Sequence, residues 1–140
     1  MNLTALYALA EEEGIVVDEF PMENHVSFSI MDTDGDCYIA VDPEKLPSAQ
    51  SEKVIIAHEL GHCITGSFYN RYAACDIRRR HENHADKWSF SHLVPEEELN
   101  EAVSAGFTEL WQLADYFDVP TNYMARACHW YKHHNMDCPA

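Results

Sequence analysis

Val54-Ile55-Ile56-Ala57-His58-Glu59-Leu60-Gly61-His62 is the stretch on which the reading of this 140-residue chain turns. An apolar run leads straight into two histidines spaced four apart. On a helix, both imidazoles lie on one face, one turn apart, and reach a single metal ion. Glu59 projects beside them, close enough to take a proton from an attacking water. Two neutral nitrogen ligands flanking a general base form the arrangement used in metal-assisted peptide hydrolysis. Pro43 and Pro47 lead into this helix, Ser48 or Ser51 supplies its N-cap, and Gly66 fits its stop.

A catalytic zinc keeps three protein ligands and leaves a fourth position for water. The third donor must therefore come from another element. The metzincin continuation needs Gly at position 65 and His at position 68; Thr65 and Phe68 stand there, which excludes that pattern. Glu82, within Glu82-Asn83-His84-Ala85-Asp86, lies one helical hairpin downstream, which leaves room for a loop and a return helix, and is the next candidate. His81 and His84 are alternative donors, with no motif behind them. Glu82-x-x-Ala85-Asp86 also resembles the third-ligand segment of the gluzincin metallopeptidases. That resemblance implies that Glu82 binds zinc and that Asp86, four positions on, accepts a hydrogen bond from a first-helix histidine and orients it. The competing reading pairs Asp86 with Arg78, Arg79 or Arg80.

The ordered set His58-Glu59-Leu60-Gly61-His62-Cys63, Glu82-x-x-Ala85-Asp86-Lys87-Trp88, Leu93-Val94-Pro95 and Leu113-Ala114-Asp115-Tyr116-Phe117-Asp118-Val119 resembles the ImmA/IrrE family of small metallo-endopeptidases. The similarity runs over about residues 50–130. Trp88 stands where that family often has Phe, and His92-Leu93-Val94-Pro95 where it often has Leu-Leu-Met-Pro; neither is a proposed ligand. The resemblance implies a compact relative of the mobile-element type. Its expected partner is a helix-turn-helix repressor of a phage or integrative element, cleaved to release transcription. A competing class is a non-catalytic zinc-containing regulator that binds and inactivates a repressor without cutting it.

Length and composition bound the rest. At 140 residues a single zincin-like domain, 1–140, is expected, large enough to bury roughly two thirds of its unfolded surface. No apolar run approaches the ~18–20 residues of a membrane span, and residues 1–4 carry no basic patch, so a cytoplasmic protein is expected. With 24 acids against 9 bases, the formal net charge is −15. A field of that sign repels phosphate, which argues against direct nucleic-acid binding; it suits a basic partner, but an acidic surface that keeps the chain in solution is the commoner reason for such a charge. The five cysteines show no CxxC pair, and their odd count points to reduced thiols, with Cys63 a small packing residue. Zinc is the expected metal, although two histidines and a carboxylate also suit Mn²⁺ or Fe²⁺. The oligomeric state is left open.

The expected class is α+β: a small antiparallel sheet packed on the active-site helix, followed by a mostly helical half. Apolar positions predict a helix over 3–13 stopped by Gly14, and strands over 15–20, 26–30 and 37–41. Asp32-Thr33-Asp34-Gly35-Asp36 resembles a calcium loop only in its acids. Its Gly is fourth rather than sixth, so a hairpin turn is expected. The strand over 37–41 is the expected sheet edge for an extended substrate. Among Tyr69, Arg71 and Tyr72, which follow the motif helix, Tyr72 is the preferred donor for the oxyanion of peptide hydrolysis. Helices are predicted around 95–104, 108–117 and 121–133; the last two suggest a helix-turn-helix pair, against which the acidic composition argues.

Overall fold

Asn2 opens the first helix, α1 (Leu3–Glu12), by accepting the Ala5 N–H at 2.8 Å, and Gly14, at φ +71°, turns the chain out of it. Strands β1 (Val16–Glu19), β2 (Ser27–Met31) and β3 (Cys37–Val41) follow, then helices α2 (Ala49–Thr65), α3 (Cys75–Leu93), α4 (Glu96–Ser104), α5 (Leu110–Phe117) and α6 (Thr121–Asp137). The computed structural model describes residues 1–69 and 74–137. The chain forms two units, Met1–Ser89 and Phe90–Ala140, which are taken separately below.

In the first unit the sheet order is β1-β3-β2. β2 and β3 form the antiparallel hairpin predicted around Asp32 to Asp36. Asp32 Oδ1 accepts the Asp34 and Asp36 amides, both at 2.9 Å, and Gly35 takes φ +87°. β1 runs parallel to β3, so the sheet is mixed rather than antiparallel throughout. The reason is the segment after β1, which carries the chain past β3 before the hairpin begins, leaving β3 in the middle. β3 is accordingly buried at Cys37, Ile39, Ala40 and Val41, and the outer strand beside α2 is β2. The expectation that residues 37–41 form the sheet edge is thus corrected.

Ser48 caps α2 by accepting the Ser51 amide at 3.1 Å, and Gly66, at φ +66°, closes it. Ile56, Ala57 and Leu60 of α2 are fully buried, as are Leu6 of α1 and, within a percent, Ile39 of β3. Burying each of these leucines and isoleucines contributes ~1.5–3 kcal/mol. The Cys37 and Cys63 sulfurs are bonded, with Cα atoms 6.0 Å apart, which corrects the expectation of reduced thiols and of Cys63 as mere packing. The pair spans 26 residues and is made by the β3–α2 contact, which no local spacing rule encodes. Among the described residues Cys75 and Cys128 are free thiols.

In the second unit, three glutamates open α4, where acids complement the helix dipole. Gln112 accepts the Glu109 amide at 3.0 Å and so caps α5. Leu113, Ala114 and Phe117 of α5 and Met124 and Ala127 of α6 are buried. The Tyr131 hydroxyl lies 2.7 Å from the Val94 carbonyl, to which it donates, and 3.2 Å from that of Phe90. Burial pushes its phenol up to about 12. No helix among the described residues is long and apolar enough to cross a membrane.

Candidate metal centre

The site is assembled by a close helix crossing. A Cβ built on Gly61 would stand 2.6 Å from the Ala85 carbonyl oxygen and 3.0 Å from its Cα, so only glycine lets α3 come this near α2. Ala85, fully buried, is the matching small residue. Glu82 lies one turn before Ala85 on α3 and is thereby brought beside the histidines of α2. His58 Nε2 is 2.8 Å and His62 Nε2 3.2 Å from the two Glu82 carboxylate oxygens, and the imidazoles are 4.9 Å apart.

The remaining ring nitrogens are engaged behind the site. His58 Nδ1 lies 3.0 Å from Asp86 Oδ1, and His62 Nδ1 2.6 Å from the Ser67 carbonyl. A carbonyl and an ionised carboxylate only accept, so each Nδ1 carries a proton and each Nε2 is left to face Glu82. Two imidazole nitrogens and a carboxylate oxygen within 4.8 Å of one another form a donor set that fits a divalent metal.

With protons instead of a metal between them, the three groups perturb one another. Burial works against charge on His58, but the hydrogen bonds to Asp86 and Glu82 outweigh it and bring its pKa up to about 10. His62 is raised in the same way: burial lowers it, while Glu82 and the Ser67 carbonyl prevail. Burial would raise Glu82, yet hydrogen bonds from His58 and His62 hold it well below the usual carboxylate range.

Glu59 faces the same cleft, a cavity of about 410 Å³ lined also by Ser27, Phe28 and Ser29 of β2 and by Phe68 and Tyr69. Ser27 Oγ donates to Glu59 Oε2 at 2.7 Å and Ser29 Oγ to Oε1 at 2.9 Å. Tyr69 donates to Glu82 Oε1 at 2.8 Å, and burial followed by that bond raises its pKa. Tyr72 and Arg71 lie outside the described residues. The structure therefore brings His58, Glu59, His62, Glu82 and Asp86 together. His84 instead meets Ser67 Oγ, 3.0 Å from its Nδ1.

Nothing local in the sequence marks Ser27, Ser29 or Ser67 as part of the site. Alternating serines in a short strand usually mark a solvated face, and only the packing of β2 over α2 turns that face onto Glu59. No curated protein matches the chain. A family model for the IrrE N-terminal-like domain of the M78 metallopeptidases matches residues 10–129, and the chain belongs to that family.

Proposed function

We propose that this chain is a zinc-dependent endopeptidase whose metal is held by His58, His62 and Glu82. The observation that supports this best is the convergence of the two Nε2 atoms and the Glu82 carboxylate on one point of the cleft that Glu59 also faces. Zinc bound there supplies a Lewis acid that polarises the scissile carbonyl and brings the pKa of an attacking water towards ~7. Glu59 takes the proton from that water and passes it to the leaving amine, while Asp86 fixes the ring of His58. Tyr69, whose hydroxyl is already at the site, is the described residue best placed to donate to the oxyanion.

The substrate we propose is a helix-turn-helix repressor of a mobile element, in the cytoplasm. Support comes from the family and from a net charge of −15, which attracts a basic partner. The test compares wild type, Glu82→Ala and Glu59→Gln for zinc per chain and for cleavage of a repressor from the same element. The wild type should hold about one zinc and cut. Glu82→Ala should lose most of the metal, and Glu59→Gln should keep the metal and stop cutting. Repressor inactivation that survives Glu59→Gln would favour a binding regulator instead.

A further inference from the structure

We infer that Ser27 and Ser29 of β2 are positioning residues that hold the Glu59 carboxylate in its working orientation, an inference that rests on the peptidase reading above. The two serines alternate along β2, so their hydroxyls leave the same face one pleat apart. Pairing with β3, Ser27 opposite Val41 and Ser29 opposite Ile39, fixes their height over α2. Each hydroxyl takes a different oxygen of Glu59, at 2.7 and 2.9 Å, so the carboxylate plane cannot swing about its last bond without breaking one of them. Glu59 is only 7% exposed, which makes these contacts costly to lose.

The choice of hydroxyls matters chemically. A carboxylate offers about four acceptor directions, so two serine bonds leave others open for a water in the cleft. A hydroxyl both donates and accepts, so the contact survives whether or not Glu59 carries a proton. A lysine in the same place could only donate and would hold the carboxylate ionised. The pair thus orients the base without withholding it from proton transfer.

Threonine keeps the hydroxyl and suits a strand; valine has the same shape and lacks it. The probes are Ser27→Val/Ser29→Val and Ser27→Thr/Ser29→Thr, beside wild type and Glu59→Gln. The infrared difference between wild type and Glu59→Gln isolates the Glu59 carboxylate stretch, with no need of a substrate. That band should shift in the valine variant and return in the threonine variant. With a proteome-derived peptide library as substrate, kcat should fall about 10–100-fold in the valine variant, with KM and zinc content unchanged, and recover with threonine. An unmoved band overturns the contact. A shifted band with unchanged kcat in an active enzyme overturns the positioning role alone. A wild type that cleaves neither the library nor the repressor removes the peptidase reading, and the positioning role with it.

Discussion

Replacing Gly61 by Ala probes the crossing on which the metal centre depends. The new Cβ would stand 2.6 Å from the Ala85 carbonyl, against the 3.4 Å at which ordinary contact begins, so the helices must part by about 0.8 Å. Neither neighbour can yield cheaply, because the atoms struck are backbone. Overpacking of this kind costs ~1–3 kcal/mol. Alanine in a helix gains ~1 kcal/mol over glycine, so the two terms oppose and the net loss is at most about 2 kcal/mol. The metal is the more sensitive reporter. Glu82 rides on α3 one turn from Ala85, and metal–ligand distances tolerate only about ±0.2 Å. A displacement of about 0.8 Å should weaken zinc by roughly 10–100-fold, the range reached when outer-shell support is lost. Urea unfolding of the metal-free protein measures the first effect, and competition with a chelator the second. A Gly61→Ala protein that is more stable by the full propensity gain and binds zinc as wild type does would refute the close crossing.

Four further outcomes are expected. Loss of the Cys37–Cys63 bond, by reductant or by Cys37→Ser/Cys63→Ser, opens a 26-residue loop and should lower stability by about 3.5 kcal/mol on the chain-entropy relation; an untreated protein whose intact mass carries every thiol would remove the premise. Because His58 titrates near 10, it is protonated at pH 7, and zinc must expel that proton. Because His62 is raised as well, apparent affinity should then rise at least about tenfold per pH unit between about 7 and 9, with proton release visible as buffer-dependent heats in calorimetry. In the metal-free protein the sign is opposite: the raised pKa stabilises the fold fully below about pH 6.5, and that contribution fades as pH climbs through about 10. Tyr131→Phe removes the hydroxyl that donates to Val94 and should cost ~1–2 kcal/mol while leaving zinc content unchanged, as unfolding and elemental analysis would show.

What could be read from sequence was what local chemistry dictates. The His58–His62 spacing, the Ser48 cap and the Gly66 stop each depend on a few consecutive residues, and the structure places them accordingly. Glu82 and Asp86 required a motif as well as a period, because Arg78, Arg79 and Arg80 offered Asp86 an equally local pairing. The strand order was not legible. Residues 37–41, Cys-Tyr-Ile-Ala-Val, are a short apolar run without polar alternation, and the route of the chain after β1 puts them at the centre of the sheet. The disulfide and the serines on Glu59 belong to the same class, made by contacts between residues 26 to 32 positions apart that no short window contains.

The turn after α2 ties His62 to Ser67 in both directions. The His62 carbonyl accepts the Ser67 amide at 3.0 Å, and the Ser67 carbonyl accepts the His62 ring at 2.6 Å. Ending the helix and aiming a ligand are therefore a single event, and the number of residues between the two is not free to vary. An insertion or deletion of one residue in 63–66 would release the imidazole even if every side chain named above were kept. Length itself, over those four positions, is part of the metal chemistry.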